Sequence, residues 1–109
     1  MENYSELEAA GLLQFFEFSF ELGWKTLKDR LFFEGFEDRT PRSVIRRAFV
    51  AGFLDAEDTE LWLAALEKRN LLSHTYDKVL TDEAVGLIRG KYTPMLRRAI
   101  RRLQGSETR

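Results

Sequence analysis

The stretch from Arg69 to Asp77 concentrates the side chains of this sequence that are best suited to chemistry. It contains the only histidine of the chain, His74. Around that histidine lie a guanidinium, an amide, a hydroxyl and a phenol, those of Arg69, Asn70, Ser73 and Tyr76. A guanidinium binds phosphate through two parallel N–H groups, and the other groups supply hydrogen bonds. The stretch therefore predicts a phosphate or nucleotide site at the end of a helix.

Each of these side chains also has an ordinary structural explanation. Trp62, Leu66, Arg69 and Ser73 recur at helical spacing, which places Arg69 at the margin of a buried stripe. The Arg69 guanidinium is then either held for a ligand or has a structural role. In a structural role it caps a carbonyl or pairs with a glutamate inside the bundle. A histidine near the C-terminus of a helix, such as His74, is favoured by the negative end of the helix dipole. Spacing alone leaves these alternatives open.

Length and composition predict one all-α domain over residues 1–109. Apolar residues make up 44% of the chain and nine are phenylalanine, enough to build a core. Two prolines and seven glycines are too few for a β protein that turns every ten residues or so, whereas 32% charged residues suit amphipathic helices.

Several classes of protein are disfavoured by composition. No apolar run approaches the roughly 18 residues that span a membrane. The absence of cysteine removes disulfides and thiolate metal sites, and the first residues do not resemble a secretory leader. We therefore expect a cytoplasmic protein.

The net charge of −1 conceals an acidic start and a basic end. Five glutamates precede the first lysine, Lys25, while six cations lie between Arg89 and Arg102. We interpret these as two solvated helix faces with complementary charge, in preference to a stripe that binds nucleic acid.

The first of four predicted helices spans about Ser5 to Glu34, with Gly35 as the residue that ends it. One face carries five apolar residues, Leu12, Phe16, Phe20, Leu27 and Leu31. A second face carries three more, Phe15, Phe18 and Leu22. This is more apolar surface than one neighbouring helix covers, so the pattern predicts a homodimer.

Three further helices complete the predicted up-and-down bundle. A short one begins at Thr40 and Pro41, turns four residues inward and stops before Gly52; those four are Val44, Ile45, Ala48 and Phe49. The third starts near Asp58, and the fourth runs from about Thr81 with Pro94 inside it, where we expect a bend.

Arg69, His74 and Tyr76 are spaced as Arg-x4-His-x-Tyr. Further motifs occur in order along the chain, namely Phe18–Lys28, Pro41–Arg46, Ala48-Phe49, Ala51-Gly52, Leu61–Leu63 and Arg69–Leu71. Together these segments resemble the nucleotidyltransferase substrate-binding protein family of the HEPN superfamily, whose signature the Arg-x4-His-x-Tyr spacing matches. The resemblance implies a homodimeric helical bundle that associates with a separately encoded minimal nucleotidyltransferase. It also implies that family members carry one further helix before the Phe-rich helix.

The resemblance implies a division of labour. The partner enzyme supplies the catalytic carboxylates, Mg²⁺ and the nucleoside triphosphate site, while this chain has no cofactor of its own. The sequence itself agrees, because no Gly-Ser loop with spaced aspartates is present. We interpret Asp55, Glu57, Asp58 and Glu60 as the acidic start of a helix. In this hypothesis Arg69 binds phosphate, Asn70 and Ser73 orient the substrate, and His74 and Tyr76 contact it.

An alternative hypothesis is a metal-independent ribonuclease toxin that binds RNA. His74 would move protons and Arg69 would stabilise charge on phosphorus, with a dimer supplying the second histidine. In related toxin pairs the tyrosine of the motif accepts a nucleotide from the partner enzyme as a neutralising modification, which makes Tyr76 the candidate target. A purely structural dimeric bundle is the third hypothesis.

Overall fold

The computed structural model describes residues 4–75 and 77–107 of the 109. Its α-helices are α1 (Glu6–Phe33), α2 (Pro41–Val50), α3 (Ala56–Leu72), α4 (Lys78–Leu87) and α5 (Thr93–Glu107). A π-helical segment, Ile88–Tyr92, joins α4 to α5, so the bundle has four helical rods, of which α2 is the short one. The described residues contain no strand. The predicted all-α bundle is confirmed.

The predicted ends of the first two helices are confirmed by their caps. Ser5 is the N-cap of α1 and forms a capping box with Glu8, whose side chain accepts the Ser5 N–H at 2.8 Å. Gly35 follows α1 with φ +97°, a conformation that L side chains rarely adopt. Thr40 caps α2 and Pro41 is its first residue. Local sequence therefore determines where α1 ends and α2 begins.

The third and fourth helices begin earlier than predicted. The Asp55 side chain accepts the Asp58 N–H at 2.7 Å, so α3 starts at Ala56 and not near Asp58. Asp77 accepts the N–H groups of Val79 and Leu80, so α4 starts at Lys78 and not at Thr81. In both cases an aspartate that looked like an ordinary acidic residue is the N-cap.

Pro94 lies just inside α5, and the helix adapts to it one turn earlier. The Thr93 N–H donates to the carbonyl of Ile88, five residues back, which is the bond of a π-helix. Proline has no N–H to donate and its ring crowds the preceding turn. The helix therefore accommodates Pro94 through a wider turn that ends at Tyr92, and the bend expected at Pro94 stays a prediction.

The core contains large side chains of α1 and α3 that meet inside the bundle. Phe16, Phe20, Leu27 and Leu31 are buried, and the Phe20 ring lies 5.4 Å from that of Trp62, which is fully buried. Gly23 permits this approach, because a Cβ at that position would lie 2.9 Å from Trp62 Cη2. The predicted inward stripe of α1 is therefore correct.

Two exposed apolar sets lie outside the core. On α1, Phe15, Phe18 and Leu22 are each more than half exposed, so within the described chain the second apolar face of α1 has no cover. On α2, Phe49 was predicted to point inward, and this is wrong, because it is 47% exposed. Val44, Ile45 and Ala48 already fill the narrow face that α2 buries.

The arginines of α5 pair with the acidic start of α3. Arg98 donates through Nε and Nη2 to the Asp58 carboxylate, with the shortest bond at 2.7 Å. Arg102 Nη2 lies 3.7 Å from Asp55 Oδ2. In the part of the chain that the structure describes, these are the ion pairs of α5, so its complement is α3 and not the acidic start of α1.

Replacing Asp58 with alanine tests the strength of this link. The Asp58 side chain is only 8% exposed and its arginine is bound in a bidentate manner, so Asp58→Ala should lower the free energy of unfolding by about 1–2 kcal/mol. Arg102→Ala removes a longer pair that is exposed on both sides and should cost less than about 0.5 kcal/mol. Urea denaturation of both variants measures the difference, and equal losses would contradict this assignment.

Candidate functional site

The candidate site begins where α3 ends. Ser73 is the C-cap of α3, and its N–H donates to the carbonyl of Arg69 at 3.2 Å. The Ser73 hydroxyl donates to the backbone carbonyl of Asn70 at 2.9 Å. The N–H groups of His74 and Thr75 both donate to the carbonyl of Leu71. The backbone that carries the motif is thus fixed by its own hydrogen bonds up to Thr75.

Arg69 faces α1. Its Nη1 lies 3.2 Å from Glu21 Oε1, and its guanidinium carbon lies 5.8 Å from the centre of the Phe20 ring. The Arg69 side chain is 27% exposed. Nη1 is buried, yet the angles to Glu21 are not those of a hydrogen bond, and Nη1 makes none within the described residues. Of the alternatives open from sequence, the pairing with a glutamate is what the structure shows, with donor capacity left over.

Glu21 is shared between two cations. Its Oε2 lies 3.1 Å from Lys25 Nζ, while Oε1 faces Arg69. Partial burial raises the pKa of Glu21, but the hydrogen bond from Lys25 and the charge of Arg69 outweigh burial and leave the pKa lowered. The carboxylate is therefore charged at neutral pH.

Asn70, in the last turn of α3, and His74, two residues beyond its end, line a surface that Arg69 does not line. Together they line an open groove of about 730 Å³, which we term the α3 groove. The rest of its lining comes from α3, the end of α4 and the π-helical segment, namely Ala64, Glu67, Lys68, Leu71, Leu87 and Tyr92. Arg69 does not line the α3 groove.

The two charged residues that line the α3 groove, Glu67 and Lys68, are each paired with a residue outside its lining. Lys68 Nζ lies 2.8 Å from Glu83 Oε1, and Glu67 Oε2 lies 3.2 Å from Arg42 Nη2. The neutral groups are different, because the side chains of Asn70, His74 and Tyr92 make no hydrogen bond within the described residues. Tyr92 is only 3% exposed. Burial, and then the charge of Glu83, raise the pKa of Tyr92, so its hydroxyl stays protonated at neutral pH.

The structure thus divides the predicted site. It brings Asn70 and His74 together, uses the Ser73 hydroxyl to end α3, and turns Arg69 toward α1. Tyr76 lies outside the described residues. The sequence prediction missed Lys68 and Tyr92. Tyr92 lies at helical spacing with Ile88 and Leu96, and its hydroxyl among these apolar residues was the one indication of a role. The sequence does not distinguish Lys68 from an ordinary solvated lysine.

The described residues offer neither a metal site nor a membrane-spanning helix. No group of three or more histidine, aspartate or glutamate side chains there is arranged to hold a metal ion. No helix there is long and apolar enough to cross a bilayer.

Comparison with known proteins agrees with the fold. The model of a family described as "Nucleotidyltransferase substrate binding protein like" matches residues 1–105. A crystal structure of a protein from Thermus thermophilus is similar, with a TM-score of 0.88 and 33% sequence identity. The similarity covers 94% of this chain and 87% of the Thermus chain. Among curated proteins, no match was found.

The pairing of Arg69 with Glu21 predicts a small, pH-dependent contribution to stability. Because the pKa of Glu21 is lowered by folding, its contribution is present above the unfolded pKa of about 4.3 and is lost as the pH falls through the folded value. The carboxylate is 39% exposed, so Glu21→Gln should lower the free energy of unfolding at pH 7 by only about 0.5 kcal/mol.

Below about pH 3 the variant and the wild type should be equally stable, because both side chains are then neutral. Urea denaturation from pH 3 to 7 measures the difference, and Glu17→Gln, one turn earlier on α1, is the matched control. A loss with Glu21→Gln that is the same at pH 3 and pH 7 would show that charge is not its cause.

Proposed function

Because this chain belongs to the family of nucleotidyltransferase substrate-binding-like proteins, we propose that it is the nucleotide- and substrate-binding subunit of a two-component nucleotidyltransferase. Catalysis belongs to a separately encoded minimal nucleotidyltransferase, which holds Mg²⁺ and the nucleoside triphosphate. We place the pair in the cytoplasm, where nucleoside triphosphates are available. The observation that carries the proposal is Arg69, a partly exposed guanidinium with a buried nitrogen, Nη1, that has no hydrogen-bond acceptor among the described residues.

Arg69 binds phosphate by exchanging one anion for another. A phosphate offers two oxygens to the planar fork of the guanidinium, a better geometry than the single contact with Glu21. When Arg69 leaves, Glu21 keeps its second partner, Lys25. The carboxylate is therefore not left as an unpaired charge, and the exchange is inexpensive.

The other motif residues act beside Arg69. Ser73 holds the backbone of Asn70 through its 2.9 Å hydrogen bond, which fixes where the Asn70 amide lies. His74 and Asn70 contact the substrate from the α3 groove. Tyr76 is assigned to the same site because of its place in the motif.

Three expectations from the sequence stay predictions. They are the membership of the HEPN superfamily, the ribonuclease alternative and the modification of Tyr76. A ribonuclease needs Arg69 and His74 at one phosphate, whereas in the single chain Arg69 contacts Glu21 and His74 lines the α3 groove, which Arg69 does not line.

The affinity of the assembled pair for a nucleoside triphosphate tests the role of Arg69. Arg69→Ala should weaken binding of a non-hydrolysable triphosphate by roughly tenfold or more, because charge-assisted hydrogen bonds are lost. Glu21→Gln should strengthen binding, because it frees Arg69 without removing its guanidinium. Isothermal titration calorimetry of the pair with Mg²⁺ measures both, and Glu17→Gln is the control.

If the affinity for the triphosphate falls in Arg69→Ala and rises in Glu21→Gln, Arg69 has a binding role and not only a structural one. If Arg69 serves only to link α1 to α3, both variants destabilise the chain and neither changes affinity. Unchanged affinity in a folded Arg69→Ala pair would contradict the proposed function.

We propose further that two copies associate through the exposed face of α1. Phe15 and Leu22 form a groove of about 430 Å³ with Ile100 and its neighbours on α5. Exposed acids such as Glu6 lie on α1, and exposed arginines such as Arg97 lie on α5. A two-fold arrangement that sets α1 of each copy against α5 of the other covers the apolar surface and brings these opposite charges together.

The oligomeric state of a Leu22→Glu variant tests this face. Leu22 is 62% exposed in the single chain, so a charge there is tolerated by the monomer but unpaired and buried in the dimer. We expect the wild type to be a dimer and Leu22→Glu to be a monomer by size-exclusion chromatography with light scattering. Val79→Glu, at a position 77% exposed on α4, should leave the dimer intact. A dimeric Leu22→Glu would contradict the assignment.

A further inference from the structure

We propose that the α3 groove binds the nucleobase of the substrate, with Tyr92 and Asn70 as the side chains that recognise it. The proposal rests on the proposed function and adds to it a second subsite, separate from the phosphate-binding role of Arg69. It assigns a role to Tyr92, which lies outside the Arg69–Tyr76 motif.

The walls of the α3 groove suit a flat, mainly apolar group. Ala64, Leu71 and Leu87 line it together with the ring of Tyr92. Leu71 is 46% exposed, so an apolar surface is available to a ligand. Small-molecule sites are mostly apolar with a few placed polar groups, and the α3 groove has this composition.

The charges around the α3 groove argue against phosphate there. Lys68 is the one lysine or arginine among the residues that line the groove, and its Nζ lies 2.8 Å from the carboxylate of Glu83. Glu67 is likewise paired with Arg42. A phosphate in the groove would meet no spare positive charge, whereas a neutral heterocycle needs none.

The polar groups that remain are neutral hydrogen-bonding groups. The Asn70 amide offers both donors and an acceptor, and the Tyr92 hydroxyl offers a donor. Neither side chain forms a hydrogen bond within the described residues, and although Tyr92 is almost wholly buried as a residue, its hydroxyl oxygen is not one of the buried atoms that lack a partner and so reaches the surface. Amide and hydroxyl groups of this kind match the mixed donor and acceptor edge of a nucleobase.

The fold holds the Tyr92 ring in place. Tyr92 is the last residue of the π-helical segment, and its ring stacks on that of Phe16 at 5.4 Å with an angle of 22°. π-Helical turns occur frequently at functional sites, where they redirect a side chain. Here the turn ends at the one polar side chain that is buried beside the α3 groove.

Free nucleosides test the proposal without any contribution from phosphate. His74 is the only histidine, so in the untagged chain its imidazole proton signals report on the α3 groove alone. Titration with adenosine, guanosine, cytidine and uridine should shift these signals in a saturable way for at least one of them. Tyr92→Phe and Asn70→Ala should each weaken that binding on the order of fivefold.

Two controls separate recognition from folding. Tyr4→Phe makes the same chemical change outside the α3 groove, since the Tyr4 hydroxyl donates to Asp82, and it should bind nucleosides as the wild type does. Asn70 is exposed, so Asn70→Ala reports on binding even if Tyr92→Phe fails to fold, which circular dichroism detects.

The other outcomes of the titration test the nucleobase subsite and the proposed function separately. If no nucleoside shifts the His74 signals up to its solubility limit, or if folded Tyr92→Phe and Asn70→Ala bind as the wild type does, the nucleobase subsite is wrong. The proposed function survives this result if the pair still binds a nucleoside triphosphate in a manner that depends on Arg69. If the pair also shows no triphosphate binding that depends on Arg69, both the nucleobase subsite and the proposed function are wrong.

Discussion

The contact between Phe20 and Trp62 is the constraint on which the site depends. The absence of a side chain at Gly23 leaves room for the Trp62 ring, whose centre lies 5.4 Å from that of Phe20. Once Trp62 is fixed against α1, Arg69, two turns later on α3, must face α1 as well, where it meets Glu21. Residues on the other faces of α3, including Asn70, then form the α3 groove.

The ion pairs of the bundle differ in what they leave free. Asp58 binds Arg98 through both of its oxygens and thereby fixes α5 on α3. Arg69 and Glu21 make a single contact, and within residues 4–75 and 77–107 the buried Nη1 of Arg69 has no hydrogen-bond acceptor. Because a buried donor without an acceptor is costly, the first arrangement suits a structural link and the second suits a group that exchanges partners.

Local chemistry made part of this structure predictable. Ser5, Thr40 with Pro41, and Gly35 mark helix ends by capping rules that operate within a few residues, and all are confirmed. The pairing of Arg98 with Asp58, forty residues apart, depends on how α5 crosses α3. The orientation of Arg69 depends in the same way on how the side chains of α3 meet those of α1. Helical spacing shows which side chains share a face, but only the packed bundle determines which partner each arginine contacts.

The structure of the assembled pair, with Mg²⁺ and a non-hydrolysable nucleoside triphosphate bound, is the most direct test of this account. We expect the Arg69 guanidinium to contact a phosphate oxygen, with Glu21 left to Lys25. A nucleotide bound wholly by the partner enzyme, with the Arg69–Glu21 contact unchanged from its present 3.2 Å, would contradict the claim that this chain forms part of the substrate site.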